Sequence, residues 1–324
     1  MLTSLEVCAG AGGSALGLEQ AGFSHQALVE IDSDACDTLR LNRPRWNVLQ
    51  QDLRSFDGTP FRGIDLLSGG VPCPPFSVAG KQLGSADERD LFPEMLRLAE
   101  EIRPSAVLIE NVKGLLSPRF ADYRAAIERR FLELGFLSEW RLLQASDYGV
   151  PQLRPRVVLV ALRPEAKKVF RWPRPHDYPA PTVGEALREA MGARGWVNAD
   201  SWARQANRIA PTLVGGSKKH GGPDLGPTRS KRAWAELGVD ARTVADEPPS
   251  PDYDGMPRLT VAMAARLQGF PPDWAFVGGK TSAYRQVGNA FPPPVAKAVG
   301  EEIFRALMIA KAGLRRGQLT LAVS

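Results

Sequence analysis

The stretch LTSLEVCAGAGG, residues 2–13, decides the fold class. Residues 2–8 are a short apolar run suited to a buried strand, and Ala9-Gly10-Ala11-Gly12-Gly13 interrupts it with a turn that glycine makes without steric cost. Residues 14–20 begin a helix that Gly22 closes. A second strand over 26–31 and a helical stretch over 35–41 repeat the unit. Strand and helix alternating in this way build a parallel sheet. Further along, 64–67 and 106–109 are short strand candidates. Between them Leu91, Met95, Ala99 and Ile102 recur at helical spacing until Pro104 stops the run. Tyr123, Ile127, Phe131 and Leu134 mark the inner face of another helix, Gly135 caps it, and RVVLVAL at 156–162 returns as a β-prone strand.

From about 170 to 257 the pattern dissolves into proline, glycine, tryptophan and mixed charge. The region is too long and too aromatic for a linker, and it reads as a small loop-rich domain in which Trp172, Trp196, Trp202, Trp234 and Trp274 are core anchors. Regular structure resumes with a helix over 260–268, Thr260 as its N-cap, and another over 295–312 after three prolines.

The 324 residues allow one large domain or a catalytic body with a smaller partner, and 44% hydrophobic with 24% charged residues excludes disordered and fibrous classes. No uncharged apolar run approaches the ~18–20 residues of a spanning helix, and no basic region precedes the first apolar stretch, so a cytoplasmic location is expected. Cys8, Cys36 and Cys73 contain no C-x-x-C pair, and His25, His176 and His220 have no ligand spacing. Neither a disulfide framework nor a metal site is expected. A net charge of +5 is compatible with a polyanionic partner without requiring one.

Three segments, with two further pieces, carry chemistry. The glycine turn is followed by Glu30 at the end of the second strand and Asp52 at the end of a third short segment. These are positions where open α/β sheets bind ligands, and an acid there suits ribose or amino groups. A plain tight turn with exposed acids is the alternative. Gly69-Gly70-Val71-Pro72-Cys73-Pro74-Pro75 presents a cysteine on a proline-stiffened loop at the sheet's carboxyl end, as a nucleophile requires, although a buried inert thiol fits the loop equally. Glu110, directly after the strand 106–109, ends a neighbouring strand and would share one cleft with Cys73. Arg154 and Arg156 alternate on the way into the last strand, and Gln286-Val287-Gly288-Asn289 stands near the C-terminus.

Taken in order, VCAGAGG, EIDSDA, GGVPCPPFS, ENVKGLL, YGVPQLRPR, an irregular region, RLTVAMAARLQGFPPDW and YRQVGNAFPPPVA resemble the DNA cytosine-5 methyltransferases over nearly the whole chain. The resemblance implies a Rossmann-like α/β domain with a mixed, mostly parallel sheet, formed by residues 1–170 and 281–324. Residues 171–280 would be a smaller target-recognition domain, with the last segment folding back onto the first and DNA lying in the cleft between. It implies methyl transfer from S-adenosylmethionine, leaving S-adenosylhomocysteine, to carbon 5 of a cytosine flipped out of double-stranded DNA. Cys73 would attack carbon 6, Glu110 would act at ring nitrogen N3, and Arg156 with Arg154 behind it would bind the base carbonyl.

On the same resemblance Gly10, Ala11, Gly12, Gly13, Glu30, Asp52 and Asn289 bind the cofactor. Ser217, Lys218, Lys219, Arg229 and Lys231 in the irregular region are the expected DNA contacts. The enzyme would be a monomer of the restriction-modification type, with a cognate restriction endonuclease acting separately. Three departures stand out: Cys8 where phenylalanine is common, Pro74 where glutamine often follows the nucleophile, and Pro155 where an acid is usual. None removes a catalytic group. An RNA cytosine methyltransferase on the same scaffold and a non-catalytic DNA-binding relative are the alternatives.

Overall fold

Strand β1 (Leu2–Val7) is central, pairing in parallel with β2 (Phe23–Glu30) on one side and β4 (Leu66–Gly69) on the other. The computed structural model describes residues 1–72, 90–215 and 222–321, with side chains through residue 313. Strand β3 (Val48–Gln50) extends the sheet beyond β2, and β5 (Ala106–Val112) runs parallel beside β4. The far edge differs: β6 (Leu137–Gln144) turns back into β7 (Pro155–Leu162), which enters antiparallel between β5 and β6. The order is β3-β2-β1-β4-β5-β7-β6. Antiparallel β7 follows from its connection, because a strand returning without a crossover helix must reverse direction. The sheet is therefore mixed and mostly parallel. Strand β6 escapes a sequence reading because it is an edge strand with mostly polar or half-exposed residues and no continuous apolar run.

Helices cover both faces. Leu5, Val7, Leu67, Val107, Ile109, Leu159 and Ala161 point to the side occupied by α3 (Phe92–Ile102) and α4 (Ala121–Glu133). Leu66, Leu108, Val158, Val160 and Leu162 point to the other, covered by α1 (Gly13–Gln20), α5 (Pro164–Val169) and the long α11 (Pro293–Leu321). Helix α2 (Ser33–Asn42) lies on this second side, with Leu39 against Ala15 and Leu28. A sheet buried on both faces has apolar residues at successive positions, and that is why the strands read as runs. Helices α1 and α11 approach closely at Gly17, where a Cβ would lie 2.4 Å from Pro293 O and 2.6 Å from the Ala296 Cβ.

Among its described residues the region read as irregular contains three helices, α6 (Val183–Met191), α7 (Ala199–Gln205) and α8 (Thr228–Glu236). In α6 the capping box Thr182/Glu185 and the buried stripe Val183, Leu187, Met191 form an ordinary amphipathic helix, short enough to be masked by its Pro- and Gly-rich flanks. Helix α9 (Val261–Leu267) is capped by Thr260, whose Oγ1 accepts from the Met263 N–H, and α10 (Lys280–Asn289) follows. One hydrophobic cluster joins α6, α7, α8 and α9 with Trp196, Trp202, Trp234 and Trp274. It also takes in Leu16 of α1 and Tyr284, Val287 and Ala290 around α10. No helix among the described residues is long and apolar enough to cross a membrane.

Candidate active site

Beyond β1 the backbone takes left-handed conformations at Cys8, Gly10 and Gly12, with φ of 51°, 53° and 86°. Glycine adopts these freely, whereas Cys8 is a non-glycine residue held there by its surroundings. Gly12 is the N-cap of α1, so the first N–H groups of the helix point back toward the turn. Glu30, at the carboxyl end of β2, closes this turn against the next. Its Oε2 accepts from Gly10 N–H at 2.7 Å, and its Oε1 accepts from Ile31 and Asp32 N–H at 2.8 Å each.

The turn borders a cavity of about 250 Å³ whose walls include Glu6, Cys8, Gly10, Ala11, Gly13, Ser14, Glu30, Asp32, Gly70, Glu110, Asn289 and Phe291. It opens at the carboxyl ends of β1, β2, β4 and β5, where the chain crosses from one half of the sheet to the other. That is the usual ligand position in such sheets. A Cβ on Gly10 would meet nothing within 4 Å, leaving room for a ligand to approach the backbone.

Glu110 ends the cavity on the β5 side. Its carboxyl Oε1 lies 2.6 Å from Arg156 Nε, both side chains being nearly buried. The contact is an ion pair, because the Nε–H is not aimed at the oxygen. Register explains the meeting: Val112 pairs with Arg156 and Glu110 with Val158, so Glu110 and Arg156 are diagonal neighbours on one face. Burial pushes the Glu110 carboxyl above its ordinary range, and the charges of Arg156 and Arg154 pull it partly back. Gly70 leaves space beside it, since a Cβ there would lie 3.3 Å from Glu110 Oε2. The adjoining Asn111 donates through Nδ2 to Val71 O at 2.8 Å and so ties the ends of β4 and β5 together. Cys73 lies outside the described residues.

Arg154 has a different position from that expected of a base-binding group. It is fully buried, and its Nη1 donates to Leu213 O at 2.7 Å while Nη2 donates to Gly288 O at 2.7 Å and Ala290 O at 3.0 Å. These three carbonyls keep its Nη atoms engaged with backbone. Gln152 and Gln268 complete the junction. Gln152 Nε2 is 2.6 Å from Gln268 Oε1, Gln152 Oε1 accepts from Leu213 N–H, and Gln268 Nε2 donates to Ala290 O. Arg154 thus joins the start of β7, the segment before residue 216 and the end of α10.

Of the expected cofactor residues, Gly10, Ala11, Gly13, Glu30 and Asn289 line the same cavity as Glu110. Gly12 sits behind it as the helix cap. Asp52 does not line the cavity: its carboxylate caps the turn 53–55 and pairs with Arg54 at 3.1 Å. Arg229 and Lys231 are on α8, where Lys231 Nζ pairs with Asp224 at 3.2 Å. Ser217, Lys218 and Lys219 lie outside the described residues.

Sequence reasoning missed Glu6. It is 1% exposed, in contact with Ser68 Oγ at 3.3 Å, and burial raises its pKa to about 8. Its signal was available as a lone acid inside the apolar run of β1. Asp32, Gln286 and Phe291 are further walls that only folding brings into place. Among the described residues no three His, Cys, Asp or Glu side chains are grouped to hold a metal ion.

The chain is 55% identical to the Type II methyltransferase M.NgoMIV of Neisseria gonorrhoeae over 94% of its length and 98% of that protein's. It is 56% identical to the Type II methyltransferase M.NaeI of Lentzea aerocolonigenes over 94% of its length and 75% of that protein's. Its fold is similar to that of the S. pombe Dnmt2 methyltransferase, with a TM-score of 0.63 at 16% identity, covering 95% and 99% of the two chains. The description C-5 cytosine-specific DNA methylase matches residues 2–305. With the glycine turn and Glu110 walling one cavity, the chain belongs to the C-5 cytosine-specific DNA methylase family and is a DNA cytosine methyltransferase.

Proposed function

We propose that the protein methylates carbon 5 of a cytosine flipped out of a specific double-stranded DNA sequence, with Cys73 as the covalent nucleophile. The observation that carries this reading is the single cavity walled by both the glycine turn and Glu110. S-adenosylmethionine supplies the electrophilic methyl group. The residues present suit it: open backbone at Gly10, the N-terminus of α1, and Glu30 for ribose hydroxyls and Asn289 among the cavity walls; Asp52, which is not one of those walls, is assigned to the adenine amino group.

The Cys73 thiolate forms a bond to ring carbon 6, and negative charge moves into the ring. Glu110, whose carboxyl burial pushes above its ordinary range, offers a proton toward N3 where that charge develops. Arg156 orients Glu110 and offers its guanidinium to the base carbonyl. Carbon 5 would take the methyl group as the sulfur–methyl bond breaks and S-adenosylhomocysteine leaves, and its proton would then pass to a base or to solvent, the C–H electron pair returning to the ring. The ring electrons then expel the Cys73 thiolate and restore aromaticity. Arg154 supports these groups by holding the surrounding backbone.

In this reading residues 1–170 and 281–324 are the catalytic domain and 171–280 the recognition domain. Ser217, Lys218, Lys219, Arg229 and Lys231 contact DNA, and a monomer acts in the cytoplasm beside a separate restriction endonuclease. Bisulfite sequencing of plasmid DNA from a host without cytosine methylation, expressing either the protein or Cys73→Ala, tests it. Protected cytosines in one short recurrent sequence, absent with the variant, are expected. Unprotected DNA with soluble protein overturns the reading, and methylated RNA in the same cells would replace it with an RNA substrate.

A further inference from the structure

Trp274 lies in the segment between α9 and α10, is not a wall of the cofactor cavity, and yet holds one of its walls. Its indole Nε1 donates to Ala11 O at 3.2 Å, across 263 residues of chain. The ring fits closely against the turn, because a Cβ on Gly12 would lie 3.0 Å from Trp274 Cζ2. On its other sides the indole is enclosed. The Arg43 guanidinium lies over it at 5.2 Å, Trp46 is at 6.1 Å and Phe270 at 5.8 Å, centroid to centroid. Glu19 fixes the first two, accepting from Arg43 Nε at 2.9 Å and Trp46 Nε1 at 3.1 Å. The backbone beside Trp274 is anchored as well, Ala275 N–H donating to Asn42 Oδ1 at 2.9 Å.

The hydrogen bond falls where the turn is least self-supporting. Gly10 and Gly12 both have positive φ and no side chains to restrict them, so the peptide between Ala11 and Gly12 is free to rotate unless held at both ends. Its N–H end donates to Ala9 O at 3.1 Å, and its C=O end is the Trp274 acceptor. With both ends held, the N–H groups of the turn are fixed in direction before a ligand arrives, and the ordering cost of binding falls. We infer that Trp274 is a positioning residue that preorganises the glycine turn for cofactor. The inference rests on assigning the cavity to S-adenosylmethionine.

Calorimetric titration with S-adenosylhomocysteine, together with initial-rate kinetics, tests it. Trp274→Phe keeps an aromatic ring in the stack and removes the donor. It should raise Kd and the KM for S-adenosylmethionine about 5- to 20-fold, with kcat within twofold. Trp202→Phe is the control. It removes an equivalent indole bond, to Gly238 O at 3.1 Å, in the same hydrophobic cluster, and should leave both constants unchanged. Circular dichroism confirms folding, and Trp274→Met, which also lacks a donor, serves if Trp274→Phe does not fold. A Kd within twofold of wild type for the folded variant overturns the role of Trp274. So does an equal rise in Trp202→Phe, which would mark a general loss of core packing. Absence of binding by wild-type protein overturns the cofactor assignment itself.

Discussion

The Arg154 guanidinium donates to the Gly288 carbonyl oxygen at 2.7 Å, linking the start of β7 to the end of α10 across 134 residues. The same side chain donates to Leu213 O and Ala290 O, so its removal would leave the buried carbonyls of Leu213 and Gly288 short of a donor, while Ala290 O keeps its bond from Gln268 Nε2. Each unsatisfied group costs about 1–3 kcal/mol. Arg154→Met should therefore lower unfolding stability by roughly 3–5 kcal/mol in urea titrations. If Arg154 acted only on the base, the variant would unfold at the wild-type midpoint while losing activity.

The Glu110 carboxyl, raised by burial, serves as a donor only when protonated, so kcat/KM should fall as pH rises through its folded-state pKa. Arg156 opposes the rise. Arg156→Met should slow the reaction and move this alkaline limb to higher pH. Glu110→Gln should cost about 100-fold or more in kcat. A limb that stays in place, or moves to lower pH, in Arg156→Met would reject the coupling.

Glu6 predicts a stability dependence of its own. Burial moves its pKa from an ordinary 4.5 to about 8, so the folded state retains a proton that the unfolded chain releases. The contribution is fully present below about 4.5 and is lost as pH rises through about 8, with an upper size of roughly 4–5 kcal/mol. Glu6→Gln mimics the neutral acid and should flatten the fall in urea midpoint between pH 5.5 and 8.5. Parallel wild-type and variant curves would show that Glu6 does not titrate in this range.

Gly17 sets two effects against each other. Alanine is favoured over glycine inside a helix by about 1 kcal/mol. A Cβ at this position, however, would lie 2.4 Å from Pro293 O and 2.6 Å from the Ala296 Cβ. Backbone does not give way cheaply, and overpacking of this kind costs about 1–3 kcal/mol or more. Gly17→Ala should thus destabilise, with its melting temperature below wild type. A rise in melting temperature would mean that α11 shifts to accommodate the methyl group.

The glycine turn, the carboxyl-end acids and the strand–helix alternation of the first 165 residues were legible because each depends on neighbours a few positions away. Periodicity of apolar residues sets an element, and a glycine at positive φ sets a turn. The short helices α6 and α7 and the edge strand β6 were not legible. Their stripes are brief, or half-exposed, and Pro- and Gly-rich flanks mask them.

By itself the sequence determined the α/β class, the order of motifs and the family they resemble. Only the tertiary structure decided which of those residues share a wall. It put Glu110 diagonal to Arg156 through the antiparallel register of β7, set Arg154 among the backbone carbonyls of two distant segments, and left Asp52 outside the cavity. It also brought Trp274 to Ala11. The physical reason is range: such contacts arise when hydrophobic burial closes long loops, and no local pattern records which polar atoms then meet.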